Sequence, residues 1–202
     1  APSRYFASEP KVDVSVVLRN PKAMDSAKNQ VMFALNDYLA GIALDQLSNQ
    51  AAVGGISFST NANNGLMVNA NGYTQRLPQL FQALLEGYFS YTPTQEQLEQ
   101  AKSWYAQMMD SAEKGKAYEQ AIMPAQMVSQ IPYFQREDRR ALLPSISLED
   151  VLAYREKLKT NTRPEFLVVG NMSEEQAKTL AQNVRTQLGS KGDEWCRNQD
   201  VL

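Results

Sequence analysis

The sequence predicts an α+β fold in which helices pack on one face of a mostly antiparallel sheet. Residues 11–19, 56–60 and 66–71 alternate apolar and polar side chains, the period of two that is typical of half-buried strands. Long segments with helical apolar spacing separate these strands, an order that suits helices layered on a sheet. Residues 63–65 read Asn-Asn-Gly, which favours a type I′ turn and joins two of the strands as an antiparallel hairpin.

The first predicted strand covers residues 11–19, where valines and a leucine alternate with polar residues. Asn20 and Pro21 follow it and are typical of a helix start, with Asn20 as the N-cap and Pro21 at the first helical position. The sequence therefore predicts a long helix from Pro21 to about Ala52. The pair Gly54-Gly55 ends it.

Two helices are predicted after the hairpin. Apolar residues recur at spacings of three and four over residues 77–88, which indicates an amphipathic helix. Pro93 interrupts this pattern. Thr94 and Gln97 then form a capping box, in which each side chain accepts a hydrogen bond from the other residue's backbone N–H. A second helix is therefore expected to begin just after Thr94.

The next segment combines helical and irregular patterns. Residues 117–130 are predicted to be helical with a kink at Pro124, and an irregular stretch is predicted over residues 131–144. Ser147 and Asp150 are typical of a helix start, because their side chains can accept hydrogen bonds from the free N–H groups of a first turn. A short helix is expected there.

The last predicted unit is a strand followed by a helix. Residues 166–169 are four consecutive apolar residues, which favours a central strand buried on both faces. A turn follows, and Ser173 with Gln176 forms another capping box before an amphipathic helix. We expect residues 1–190 to form a single domain and residues 191–202 to form a tail or the start of a linker.

The composition excludes the usual enzyme chemistries. The chain has 202 residues with no histidine and one cysteine, Cys196. It therefore lacks the residues for a Ser-His-Asp triad, a Cys-His pair, a histidine-based zinc motif or an internal disulfide. The net charge of −2, with scattered Lys and Arg, predicts no nucleic-acid partner. No apolar run reaches the roughly 18–20 residues of a membrane span, so no membrane partner is predicted.

Several polar groups are candidates for chemistry, and the pattern favours a structural role for each. Asp37 and Asp45 lie eight residues apart on the long helix, too far to share a proton or a metal. The acidic pairs at 149–150 and 174–175 fall in first helical turns, where negative charge favours the helix dipole. The arginines of residues 136–140 are diluted by Glu and Asp, which indicates a solvated face.

Residues 104–109 contain an aromatic and methionine cluster on one predicted helix. Such a cluster is typical of core or interdomain packing rather than of a cofactor site. Cys196 has no neighbouring histidine, so a catalytic thiol is not expected. The residues themselves therefore predict no catalytic, cofactor-binding or metal-binding position in this chain.

The whole arrangement resembles one domain of the M16 (inverzincin) metallopeptidases. The resemblance covers residues 4–190 and is carried by five segments. These are Val12–Leu18 with Arg19-Asn20-Pro21, the helix through Tyr38-Leu39, Gly54-Gly55-Ile56-Ser57-Phe58, Asn71-Gly72-Tyr73, and Phe166-Leu167-Val168-Val169-Gly170-Asn171-Met172. The segment is similar to the third of four homologous domains in that family.

The resemblance implies a LuxS/metallopeptidase-like α/β roll and a parent enzyme built as two halves that enclose a chamber. It also implies a periplasmic zinc enzyme that cleaves small peptides, with His-x-x-Glu-His on the first long helix of its first domain. Here the equivalent helix reads Phe-Ala-Leu-Asn-Asp-Tyr-Leu-Ala-Gly over residues 33–41, without His or Glu. No catalytic residue carries over, and any zinc would belong to the parent enzyme.

We therefore expect a non-catalytic, chamber-forming domain whose partners are the other domains of its polypeptide, the catalytic half included, and peptide substrates. The hypothesis is that the polar face of the sheet lines the chamber; that face is predicted to carry Asp13, Ser15, Ser57, Ser59, Asn69 and Asn71. Two alternatives stay open. One is a stand-alone binding or assembly protein on a degenerate M16 domain. The other is a histidine-free hydrolase, which would need two carboxyl groups about 5–10 Å apart in a pocket.

Overall fold

The structure is a computed structural model that describes residues 10–20, 22–61, 66–113, 133–160 and 162–189. The strands within these ranges are β1 (Lys11–Arg19), β2 (Ser57–Asn61), β3 (Leu66–Tyr73) and β4 (Arg163–Gly170). The helices are α1 (Ala27–Val53), α2 (Leu77–Ser90), α3 (Gln95–Glu113), α4 (Arg136–Leu142), α5 (Leu148–Thr160) and α6 (Glu174–Leu188), with a short 3₁₀ turn at Leu143–Ser145.

The chain divides into two compact units. The first comprises residues 1–20, 40–91 and 155–202, and the second comprises residues 21–39 and 92–154. All four strands, α2 and α6 belong to the first unit. Helices α3 and α4 belong to the second, and α1 and α5 each contribute residues to both.

The first unit is built on a four-stranded sheet in the order β2-β3-β1-β4. Every pairing is antiparallel, with Val14 opposite both Ala70 on β3 and Val168 on β4. This confirms the predicted α+β class and the predicted hairpin strands β2 and β3. The turn expected at residues 63–65 lies outside the described residues.

One face of this sheet forms the core of the first unit. Helices α2 and α6 pack together on the sheet, and Gln187 on α6 donates a 2.8 Å hydrogen bond from Nε2 to the Gln82 carbonyl on α2. The buried side chains of the sheet alternate along β1 and β3, as the period of two requires. They are Val12, Val14, Val16, Leu18, Leu66, Val68 and Ala70.

A buried cation also lies in the first unit. The Arg155 side chain is 2% exposed and donates a hydrogen bond from Nη1 to the Tyr91 carbonyl oxygen. Burial disfavours the charged form and lowers the pKa of this guanidinium, against the opposing effect of Tyr88 and Glu156. Arg155 therefore ties α5 to the segment that follows α2.

The second unit is helical. Its buried side chains include Leu35 on α1, Leu98 and Tyr105 on α3, and Val151 on α5. The Tyr154 hydroxyl donates a 2.6 Å hydrogen bond to the Ala23 carbonyl, and burial raises the pKa of this phenol, with a further contribution from Asp25. The Thr94–Gln97 capping box is present at the start of α3, as predicted.

Three predicted features differ from the structure. The long helix begins at Ala27 rather than at Pro21, because Ser26 provides the cap: its Oγ accepts a 3.2 Å hydrogen bond from the Asn29 N–H. Part of the stretch predicted to be irregular, residues 131–144, forms helix α4. The strand predicted to be central, β4, lies at an edge of the sheet, and among the described strands it pairs with β1 alone.

The helix predicted over residues 117–130 and the tail predicted after residue 190 lie outside the described residues, and the single-domain boundary at 190 stays a prediction. Within the ranges that the structure describes, no helix combines the length and the apolar content needed to cross a bilayer.

Candidate functional site

The face of the sheet opposite the core carries exposed side chains in the described part of the first unit and is the candidate functional surface. We call it the open sheet face. Residues at alternate positions point to this face, and the strand register aligns them in rows across the sheet. One row reads Ser57, Asn71, Asp13, Val169, and the next reads Ser59, Asn69, Ser15, Leu167.

The polar half of this face is the part of these two rows that lies on β2, β3 and β1. Asp13, Ser57 and Ser59 are exposed, whereas Ser15, Asn69 and Asn71 are half-buried. Asn71 donates a 2.5 Å hydrogen bond from Nδ2 to Asp13 Oδ1, which links β3 to β1 on this side. The six residues predicted to form a polar face therefore share one surface.

The apolar half of this face is the end of β4, at residues 167 and 169, whereas Glu165 earlier on the strand is charged. Leu167 is 62% exposed and Val169 is 45% exposed, and both lie on the same face as Asp13 and Ser15. The sequence did not predict this exposure, because four consecutive apolar residues are typical of a strand buried on both sides. A strand buried on both faces and an edge strand with one exposed face share this apolar pattern, and only the position of β4 in the sheet distinguishes them.

A polar cleft lies where β3 ends and the turn after β4 begins. It has a volume of about 490 Å³, and its lining includes Tyr73, Arg76, Asn171 and Gln176. Thr74 donates a 2.5 Å hydrogen bond from Oγ1 to the Asn171 carbonyl, and the Asn171 N–H bonds the Lys11 carbonyl at 3.2 Å. These bonds join the two turns and β1 and fix the shape of the cleft.

The acidic candidates occupy structural positions. Asp45 is exposed, and Asp37 is half-buried on α1. Asp150 caps α5, where its Oδ2 accepts a 3.0 Å hydrogen bond from the Ser147 N–H, and its Oδ1 bonds Lys28 Nζ at 2.9 Å. These bonds, with the Ser147 N–H first in effect, lower the pKa of Asp150 to about 2.

The second acidic pair and the second capping box are also where the sequence predicts them. Glu174 and Glu175 are exposed in the first turn of α6. Ser173 and Gln176 cap that helix reciprocally, with bonds of 3.2 Å and 3.0 Å. Glu174 also pairs with Lys178 at 2.6 Å on the surface. The ion pair gives the Glu174 carboxylate a structural role, and both carboxylates lie in the first turn, where negative charge favours the helix dipole.

The aromatic and methionine cluster divides into two halves. Tyr105 and Met109 are 2% and 3% exposed and belong to the core, as predicted. Trp104 and Met108 are 38% and 43% exposed, and Trp104 stacks on Tyr38 with ring centroids 4.8 Å apart. The interdomain packing that the sequence also allowed stays a prediction for these two residues.

The basic candidates lie on α4. Arg140 is exposed and pairs with Asp110 on α3, and Arg139 partly offsets the rise in pKa that burial imposes on Tyr105. Arg140 is solvated, as the sequence predicts, whereas Arg136 and Arg139 are half-buried.

Neither a metal centre nor a carboxylate pair is assembled by the described residues. They contain no group of three or more Cys, Asp or Glu side chains that could hold a metal ion, and the chain has no histidine. The described lining of the 490 Å³ cleft has no carboxylate, and that of a 210 Å³ cavity beside α2 and α6 has one, Glu86. The geometry that a histidine-free hydrolase requires is absent from both.

The family model for the middle or third domain of peptidase M16 matches residues 1–141, more than half of the chain. This chain belongs to the M16 peptidase family. Within that family it corresponds to the middle domain, which agrees with the resemblance carried by its strands and turns.

This M16 middle domain is similar to segments of longer proteins. It is 80% identical over its whole length to Protease 3 of Escherichia coli (strain K12) and spans 21% of that protein. It matches the crystal structure of pitrilysin with a TM-score of 0.92 and 80% identity, over all of this chain and 22% of that one.

A more distant solved structure shows the same fold. The M16 peptidase inactive domain from Pseudomonas fluorescens matches with a TM-score of 0.63 and 14% identity, over 93% of this chain and 47% of that one. The chain thus spans about a fifth of the curated relative that it matches. The arrangement of strands and helices described above is therefore the M16 fold.

Proposed function

We propose that this M16 middle domain is a non-catalytic wall element of a zinc metalloendopeptidase that degrades small peptides. In this proposal the polar half of the open sheet face lines a chamber that the domain encloses together with other domains of the same polypeptide. The observation that carries the proposal is the polar half of that face, where six hydrogen-bonding side chains share one surface. Membership of the M16 family and the 80% identity to a segment of Protease 3 support the peptidase context.

A polar wall suits the enclosure of peptides of differing sequence. Serine and asparagine side chains both donate and accept hydrogen bonds, so they solvate a peptide backbone without selecting one side chain. Asp13 is the only acidic residue among the six, and its side chain accepts a hydrogen bond from Asn71. Under this proposal, selection depends on the size of the enclosed space rather than on a specificity pocket in this domain.

The zinc that the family implies does not fit the residues of this chain. A catalytic zinc site requires three protein ligands drawn from His, Cys, Asp or Glu, and the described residues bring no such group together. We therefore place the metal and the general base in another part of the longer polypeptide. This domain contributes enclosure, and no step of hydrolysis is assigned to it.

The periplasm is the compartment that we propose, on the basis of the resemblance to periplasmic M16 enzymes. A single cysteine is compatible with an oxidising compartment, because it leaves no second thiol for a wrong internal disulfide. Osmotic-shock fractionation of the native host tests this point. Recovery of the protein with the cytoplasmic fraction would contradict it.

The chamber proposal is tested by cysteine labelling in the longer protein, with other cysteines replaced. Ser57→Cys and Asn69→Cys probe the polar half of the open sheet face, and Asn183→Cys on the exposed side of α6 is the matched control. Maleimide labelling is measured with the enzyme open and with it closed on a tight-binding peptide. We expect closure to slow both sheet variants at least tenfold and to leave the control unchanged. Equal rates in the two states for the sheet variants would contradict the chamber location.

A further inference from the structure

The apolar half of the open sheet face has a different character from the polar half. Leu167 and Val169 project from β4 and are 62% and 45% exposed. Val17 on β1 and Met67 on β3 are half-buried on the same face, and they lie opposite each other in the row next to that of Leu167. We call Leu167, Val169, Val17 and Met67 the aliphatic strip.

An ion pair lies at one end of this strip. Arg19 Nε bonds Glu165 Oε2 at 2.6 Å, and Glu165 lies opposite Val17 in the register. At the other end, the backbone of Asn171 bonds Lys11 and terminates the pairing. The strip is thus an apolar surface that extends from β4 across β1 to β3, and the Glu165 carboxylate beside it is paired with Arg19.

Among the described residues, the second half of β4 forms a sheet edge without protecting side chains beside the strip. Natural edge strands usually carry lysine, proline, a bulge or an inward charge that prevents pairing with another chain. β4 begins with Arg163, Pro164 and Glu165, but from Phe166 to Gly170 it has no charged residue and no proline. An apolar, unprotected edge next to exposed aliphatic side chains is typical of a surface that is covered in the native protein.

We propose that the aliphatic strip is the contact surface for another domain of the same polypeptide, which covers it with apolar side chains. Size argues for a tethered partner. Two exposed aliphatic side chains and their neighbours provide far less than the roughly 800 Å² per partner that a stable complex of separate chains buries. A covalently linked domain needs less area, because the linker supplies a high effective concentration.

The relatives supply a candidate for that partner. The chain spans 21% of Protease 3, so about four-fifths of that relative's length lies outside the region of similarity. The inference rests on the proposal that this domain works inside such a longer chain. It goes beyond that proposal by dividing the open sheet face in two. The polar half stays in contact with solvent, and the aliphatic strip is buried against another domain in every state of the enzyme.

The test is cysteine labelling of the longer protein, with the urea-unfolded protein as the reference rate. Leu167→Cys probes the strip, and Ser57→Cys, on the same face but on β2, is the matched control. We expect the cysteine of Leu167→Cys to react at least tenfold more slowly than that of Ser57→Cys in the open enzyme and to stay protected on closure. Labelling of Leu167→Cys at the rate of the Ser57→Cys control would overturn the inference, whether or not closure protects Ser57→Cys.

A second pair of variants gives a readout that does not depend on labelling. Leu167→Lys in the longer protein places a charge in the proposed contact, whereas Ser59→Lys places the same charge on the polar half. We expect a lower melting temperature for Leu167→Lys and little change for Ser59→Lys. Equal melting temperatures for the two variants would contradict a buried contact at the strip.

Discussion

Asn71 on β3 lies directly opposite Asp13 on β1, and its side-chain amide donates a 2.5 Å hydrogen bond to the Asp13 carboxylate. In the neighbouring pair of the register, Gly72 and Val12 are buried on the other face. Adjacent residues of these strands therefore point alternately to the solvent and to the core. This alternation underlies both the core of the first unit and the proposed chamber wall.

The two faces should respond differently to truncation. We expect Asn71→Ala to lower the free energy of unfolding by less than about 1 kcal/mol, because an exposed hydrogen bond is largely replaced by water. Leu66→Ala on the same strand should cost about 2–5 kcal/mol, because Leu66 is 0% exposed and its removal leaves a cavity. Urea denaturation measures both, and equal losses would contradict the assignment of the faces.

The turn after β4 depends on a glycine. Gly170 has φ = +123°, and a Cβ there would lie 2.7 Å from the Lys11 carbonyl oxygen and 3.0 Å from Val12 Cα. We expect Gly170→Ala to destabilise the protein by at least about 1–3 kcal/mol, because both obstacles are backbone atoms. Gly41→Ala is the control: a Cβ there meets nothing within 4 Å, and alanine in a helix should stabilise it by about 0.5–1 kcal/mol. Thermal unfolding that fails to separate the two variants would argue against this turn geometry.

The cap of α5 should give the second unit a defined acid sensitivity. Hydrogen bonds from Ser147, and then from Lys28, lower the pKa of Asp150 from 3.8 to about 2. Because the pKa is lower in the folded chain, the stabilisation is complete above roughly pH 5 and is lost as the pH falls from about 4 towards 2. Asp150→Asn should therefore be less stable than the parent at pH 6, with a gap that narrows towards pH 2.

Lys28→Met distinguishes the two causes of that lowered pKa. Since the Ser147 N–H is the larger cause, most of the acid sensitivity should remain in this variant. Denaturation curves collected between pH 2 and pH 6 provide the comparison. A gap between parent and Asp150→Asn that stays constant over this range would show that the carboxylate does not stabilise the fold in this way.

Local signals predicted much of this fold, and the reason is physical. Both capping boxes and the Ser147–Asp150 cap form between residues three apart, so the sequence contains each of them completely. The period of two on β1 and β3 likewise needs no distant partner to be recognised. The polar half of the open sheet face follows directly from that alternation.

The incorrect predictions each depended on a distant or competing contact. The apolar run at residues 166–169 does not show whether β4 pairs with one strand or with two. In the structure β4 pairs with β1 and lies at the edge of the described sheet. Helix α4 has almost no apolar residues to show periodicity. Its signal was charge order, with Glu137 and Asp138 in the first turn and Arg139 and Arg140 in the last. Helix α1 begins after the Ser26 cap and not at the Asn20-Pro21 pattern, which the sequence also offers as a helix start.

The central claim is that the chemistry of the peptidase lies outside this domain, and zinc binding tests it most directly. The measurement is isothermal titration calorimetry of Zn²⁺ into the 202-residue chain at pH 7. We predict no stoichiometric uptake, because the chain has no histidine and its described residues assemble no group of metal ligands. Tight binding of one zinc ion per chain would contradict the account.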